Sequence, residues 1–477
     1  MISITRSLAR QVRAVFRRLV RRCLGPRPLV SFQGTSQGLR VRLHGSAIAA
    51  EYHLPGSHGD EVIVLPLEAL AACEGSREQP VTLEQASAGI QVHWRDHGMP
   101  QIAVHPLEDS PSLADFPRPP ESMLPVEPGF LTALAEASLS ADQQALRYAT
   151  DHIQLQGSAG CIVATDGKQL LMQKGLAFPW TDDVLVPASP VYGCRELAQA
   201  GPVQLGRTDS HVVLQAGPWT LSLPIDKESR FPQVERVVPS KKEATAHCQL
   251  GPEDRDFLVR SLRRLPGGDD EHAPVTVDLN GEVLLRAHAE GQDQAVELLL
   301  ARSRATGKPF RLAMNRKCLE RAMRLGLPEL HVQDAGRPVL FADEKRDFVV
   351  MPLDPQGSVP ASEKAIRISS TQEAAGPVAI KRQRRKNTVN DTNAIETQTT
   401  NVPSETIVPE NRPTRTRKPK TAGVAVLIQE AEAIRNALRD LTGRSHKLLV
   451  ALKRQRKQSK IVQSSLKALK ELQHIDG

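Results

Sequence analysis

The chain has 477 residues, 24% charged and 40% hydrophobic, a globular composition long enough for about three domains. Its net charge of +8 is laid out unevenly: eight Arg and no acid over residues 1–30, 31 basic against 43 acidic residues over 31–355, and 23 against 11 over 356–477. No run of about 18 apolar residues is present, which excludes a helical membrane span. All 16 aromatic residues and all six cysteines precede residue 356. A folded acidic body is therefore expected between two basic ends.

At the N-terminus, Arg pairs at 17–18 and 21–22 interrupt any signal-peptide core. The acid-free start reads as an organellar transit peptide or, more plainly, as a helix with one basic face. Ser7 is the expected N-cap and Cys23 the end. Leu8, Val12, Phe16, Leu19 and Cys23 form its apolar stripe, and Arg10, Arg13, Arg17 and Arg21 a basic one. The cysteines, at 23, 73, 161, 194, 248 and 318, form no CxxC pair and have no nearby His spacing. That rules out a standard zinc site and any disulfide framework, and leaves buried thiols. No metal ligand set and no cofactor is legible.

A repeat organises the body. Residues 60–94, 182–217 and 309–343 each read as an apolar strand, a short helix, a turn and two further strands. Pro80, Pro202 and Pro328 mark equivalent points, so the unit is an α+β domain of about 120 residues. Each copy carries another helix in its first half. In the second copy this is 128–138, without a basic residue. In the third it is 252–265, opened by Pro252, Glu253, Asp254 and Asp256 and closed by Arg260, Arg263 and Arg264, as the helix dipole favours. The second-half helix of that copy adds Arg316, Lys317, Arg321 and Arg324. A charge stripe is commonly a solvated face. Several at equivalent places in a repeat point instead to a surface that meets phosphates without reading bases.

These segments resemble the bacterial DNA polymerase III beta subunit, the DNA sliding clamp. CIVATDGKQLLM (161–172) is similar to the strand-turn of the clamp's middle domain, and FPQVERVVP (231–239) to the segment closing that domain. FRLAMNRKCLERAMRLG (310–326) resembles a helix of its third domain and FVVMPLD (348–354) its terminal strand. The resemblance covers about 1–355 and implies clamp domains at 1–121, 122–240 and 241–355, each of two half-domains. It further implies a head-to-tail homodimer closing a ring of six domains around double-stranded DNA, with helices lining the pore. No catalytic role is implied. The expected partners are DNA, a DNA polymerase, a clamp loader and a second copy; the expected location is the cytoplasm, on the nucleoid.

Two sets of residues follow. The family's partner-peptide pocket between its second and third domains maps to Thr165, Gly167, Lys168, Gln169, Leu170, Pro239, Val349, Met351, Pro352 and Leu353. Lys168 and Gln169 stand where the family usually has His and Arg. For DNA contact the expected residues are Arg10, Arg13, Arg17, Arg21, Arg147, Arg260, Arg264, Arg321 and Arg324. Arg147 comes from the resemblance of 146–157 to the family's Arg-Tyr segment beside the pore, and the others from the helical stripes.

The chain then runs on. Residues 356–422 lack aromatics and read as a disordered linker with basic clusters at 381–386 and 412–420. Those clusters fit solvated linker, a phosphate-binding arm or, more weakly, a nuclear localisation signal. Over 423–477 an a/d seam from Leu427 to Gln473, with polar breaks at Ser445, Gln455 and Ser459, reads as a basic coiled coil that self-associates or grips nucleic acid. Two functions remain: a clamp-like processivity factor that encircles DNA, or a clamp-derived scaffold that binds DNA through its tail. An enzyme is disfavoured, because the chain has no GxxxxGK, GxSxG or HExxH motif.

Overall fold

The computed structural model describes residues 1–20, 27–44, 48–87, 89–108, 116–142, 148–268, 272–289 and 294–371. They fall in the first of the chain's two compact units, Met1–Ile380. Six helices are described: α1 (Arg6–Leu19), α2 (Leu70–Cys73), α3 (Phe130–Ser138), α4 (Arg195–Ala198), α5 (Pro252–Ser261) and α6 (Arg316–Arg324). None is long and apolar enough to cross a membrane.

Each helix follows one strand and precedes three, so a strand–helix–three-strand unit occurs six times, the fifth with an added strand, Arg304–Gly307, that pairs with Ala246–Gln249. In every pair of units the leading strands are exchanged. Ile2–Thr5 pairs with Pro80–Ala86 of the second unit, and Val62–Pro66 pairs with Leu29–Thr35 of the first. The same exchange joins Leu124–Pro125 to Val203–Arg207 and Asp183–Pro187 to His152–Gln156. In the last pair it joins Ala246–Gln249 to Glu329–Val332 and Phe310–Asn315 to Pro274–Asn280. Neither unit of a pair can complete its sheet alone, which makes the pair the cooperative domain.

The three domains are stitched edge to edge. Trp219–Pro224 pairs with Ala49–Pro55, and Gln169–Gln173 with Arg346–Val350, both antiparallel. Sheets of eight and nine strands thus run across the two domain junctions. This removes four unpaired edges that would otherwise template aggregation. Two smaller sheets stand at the ends. The four-stranded one finishes in Met99–His105, and the five-stranded one finishes in Ile366–Ser369.

Packing rather than capping sets the long helix. Thr5 is the N-cap of α1, its Oγ1 accepting from the Leu8 backbone N at 3.1 Å. The sequence reading placed the cap at Ser7; the chain bends earlier because Ile2–Thr5 is already committed to the sheet ladder. A cap contributes about 1 kcal/mol. Leu8, Ala9, Val12, Val15, Phe16 and Leu19 are all buried, and at roughly 1.5–3 kcal/mol for each large side chain their burial dominates. Phe16 meets Trp219 edge to face with centroids 6.1 Å apart, tying the first helix to the second domain's core.

Beyond residue 355 the chain does not leave the body at once. Pro355–Gly357 makes a tight turn, and Ile366–Ser369 adds to Val296–Leu299 as a parallel strand. The expected linker therefore begins with an ordered stretch. Backbone ladder bonds, which low aromatic content does not preclude, hold it in place. The rest of the linker and the coiled coil expected over 423–477 lie outside the described residues.

Candidate nucleic-acid face and partner pocket

The helices form one continuous row. α1 packs on α2 and on the Pro190–Gly193 turn that leads into α4, and Arg18 Nη1 donates to the Gly193 carbonyl at 3.0 Å. α3 packs on the same turn. Arg321 of α6 then reaches across to α3, donating to the Glu136 carbonyl and, at 3.2 Å, to Ser140 Oγ. α5 packs on α6. One surface of all three domains is thus made of helices backed by sheets.

The seven described arginines expected to contact DNA separate into three groups on this row. Arg10, Arg17, Arg260 and Arg264 are exposed and make no ion pair with a described residue. Arg13 is half-buried and ion-paired to Glu74 at 2.7 Å, and Arg324 is exposed but paired to Glu320 at 2.8 Å. Arg321 is turned inward, its guanidinium 5.9 Å from the Phe348 ring. Burial pushes its pKa down to about 10, only partly opposed by Glu136. Its role in the structure is to join the second and third domains. Arg21 and Arg147 lie outside the described residues.

Glu320 explains why Arg324 differs from Arg264. Burial alone would raise its carboxyl pKa, but bonds from Arg263 at 2.9 Å and from Arg324 outweigh that and hold it below the usual carboxylate range. Two cations of α5 and α6 are spent on this one buried acid. Exposed Arg18, Arg195 and Lys317 add to the same helix row. Arg195 drew no attention in the sequence because α4 is too short for a stripe.

On the sheet side, a cavity of about 260 Å³ opens at the junction of the second and third domains. Thr165, Gly167, Lys168, Gln169, Leu170, Val349 and Met351 line it, seven of the ten residues expected. Its wall is completed by Pro232, Gln233, Val234 and Val237, from the 231–239 segment, and by Pro338, which lies in no quoted motif. Pro352 is buried, and the Leu353 backbone N donates to the Ala313 carbonyl at 2.7 Å, so these two anchor the chain in the third domain instead. Pro239 is half-buried and is not among the lining residues.

The floor is built by the hairpin at 165–169. Gly167 takes φ +82, which the tight turn demands and side chains disfavour. Asp166 Oδ1 accepts from the backbone N of Lys168 at 2.8 Å and of Gln169 at 2.9 Å. Gln169 Nε2 donates to Asp166 Oδ2 at 3.0 Å, while its buried Oε1 has no partner. Leu170 pairs across the domain junction with Val349, putting two apolar side chains on the floor. With Met351 and Val237 both about half exposed, the cavity offers an apolar surface. That suits a short apolar peptide.

Cys73, Cys161, Cys194, Cys248 and Cys318 are free and buried; burial raises each thiol pKa, Cys248 up to about 12. They are packing residues. Asp182, which neighbours Asp183 in the sequence, is tied bidentately to Arg207 in an exposed pair.

A row of helices on one side, junction-spanning sheets on the other and three two-fold domains define a DNA-clamp fold. Solved structures of bacterial DNA polymerase III beta subunits share it. The beta chain from Streptococcus pneumoniae TIGR4 matches with a TM-score of 0.59 at 17% identity, the subunit from Pseudomonas aeruginosa with 0.58 at 19%, and that of Caulobacter crescentus with 0.58 at 18%. Each match covers 74% of this chain and 99% of the other. No family model and no curated protein matches the chain.

Proposed function

We propose that this protein is a DNA sliding clamp or clamp-like processivity factor. Two copies join head to tail into a ring around duplex DNA, and partners are tethered at the cavity between the second and third domains. The observation that carries this reading is the helix row, whose Arg10, Arg17, Arg260 and Arg264, in no ion pair with a described residue, stand on the surface opposite the sheets. Such cations meet phosphates at any sequence and leave specificity to topology. On nicked circular DNA the protein is expected to persist, and on the same DNA once linearised to run off the ends. Equal loss from both forms would sink the encircling mechanism.

Partner capture is a separate step. Met351→Glu with Val237→Glu puts charge on two exposed cavity positions without touching the core. The expected result is unchanged retention on circular DNA with polymerase binding weakened at least tenfold, read by pull-down and anisotropy. Unchanged polymerase binding would remove the cavity from the proposal.

One observation favours a second reading. The strand Ile366–Ser369 already occupies the edge strand Val296–Leu299 of the third domain, an edge a ring contact needs. A chain held this way is a monomeric clamp-derived scaffold, with DNA bound through its basic tail. Deletion of 372–477 separates the two: the scaffold loses all DNA association, whereas the ring keeps its topological retention.

A further inference from the structure

The three acceptors His247, Glu329 and His331 converge on the sheet face opposite the helices. His247 and His331 are direct cross-strand partners on Ala246–Gln249 and Glu329–Val332, with ring centroids 4.8 Å apart. Glu329 is two residues before His331, so strand alternation puts it on the same face. Its Oε2 lies 3.0 Å from His331 Nε2. One ligand atom from each of the three lies within 4.8 Å of the others. Ligands of a tetrahedral zinc at about 2.0–2.1 Å stand roughly 3.3 Å apart, which small rotations of the two imidazoles and the carboxylate reach.

We propose that His247, His331 and Glu329 form a binding site for a divalent transition metal of the zinc type. Two imidazoles and one carboxylate are a ligand set that such ions favour over calcium or magnesium, and a fourth position stays open for water. Lys241 competes: its Nζ sits 3.3 Å from Glu329 Oε2 and must swing out when a cation arrives. It stands on an exposed turn, free to do so.

The position gives the site consequence. Thr165, Leu170, Val349, Leu340, His331 and His247 are successive cross-strand partners in one row of the nine-stranded sheet. The metal would lie two strand spacings, about 10 Å, from Val349 on the cavity floor. It would also clamp together strands from the two half-domains of the third domain.

The test uses the full chain, untagged and stripped with chelator, titrated with Co²⁺ and followed by visible absorption, with Zn²⁺ calorimetry in parallel. One equivalent giving a tetrahedral-type Co²⁺ band is expected, displaced by Zn²⁺. His247→Asn and Glu329→Gln should each lose that equivalent, and Lys241→Met should bind several-fold more tightly because the competing cation is gone. His331 is the most buried of the three, so His331→Asn is compared only if its circular dichroism matches the parent. Undiminished uptake in both His247→Asn and Glu329→Gln would overturn the site, as would absence of any stoichiometric binding by the parent. Unchanged affinity in Lys241→Met would overturn the placement of the ion at Glu329.

Discussion

Removing the strand that follows the body should tighten the proposed head-to-tail dimer. A chain ending at residue 422 keeps Ile366–Ser369, whereas one ending at 357 lacks it; neither carries the 423–477 segment, so that segment cannot supply the association. In the longer chain the ladder partner of Val296–Leu299 is internal: Ile366 N donates to the Ala295 carbonyl and Ser370 N to the Leu299 carbonyl, each at 2.9 Å. Ala301 N donates to Ser370 Oγ at 3.1 Å, and Arg367 pairs with Glu282 and, at 3.5 Å, with Glu297. Ile366 and Ile368 remain 50% and 39% exposed, so the strap buries little apolar surface. Its hold comes from a few backbone bonds at about 0.5–1.5 kcal/mol net each, with exposed ion pairs adding under about 1 kcal/mol.

At the other end of the body, Met99–His105 is an unpaired edge of seven residues. Met99, Ile102 and Val104 are 65%, 57% and 53% exposed, an aggregation hazard unless something covers it. In the proposed head-to-tail ring, a second copy's Val296–Leu299, once freed, is that cover. Each strap is worth about 2–3 kcal/mol and a closed ring displaces two, so dimerisation should tighten roughly 10³-fold to 10⁴-fold. Sedimentation of the two chains over a concentration series reads this directly. Two monomers at every concentration would sink the ring contact, and two equally tight dimers would sink the strap.

Much of this was legible in the sequence where one side chain's surroundings are local. The apolar–polar alternation and the Pro anchors marked the repeat, and the 161–172 and 348–354 motifs marked the cavity because its floor is two adjacent strands. What lay beyond reach depends on long-range pairing. The exchange of leading strands leaves no periodic signature, since each strand reads the same whichever sheet it joins. Arg321 and Arg324 look alike on a helical stripe, yet one is turned into α3 and the other is held by Glu320. The His247, Glu329 and His331 cluster is split by more than 80 residues of sequence, a separation no local ligand spacing would flag. Ile366–Ser369 sits in a stretch whose composition argues against a core. It needs none, because the edge it joins supplies the hydrogen bonds.

Replacing Arg10, Arg17, Arg260 and Arg264 together by Ala should flatten the salt dependence of DNA association. Each phosphate neutralised contributes about 0.9 to the slope of log affinity against log salt, so four lost contacts reduce it by about 3.6. Between 50 and 200 mM salt the parent should therefore lose roughly a hundredfold more affinity than the variant. Anisotropy on a duplex longer than the body is thick reads the slope, and any contribution from the basic tail cancels because both chains carry it. Arg321→Ala is the control. Its guanidinium is engaged with Glu136 and Ser140, so the slope should not move, while the junction of the second and third domains should weaken and the melting temperature fall. If Arg321→Ala changed the slope as much as each exposed arginine does, the phosphate face would have to be redrawn around α6. If the fourfold variant left the slope unchanged, the helix row would not be the DNA surface.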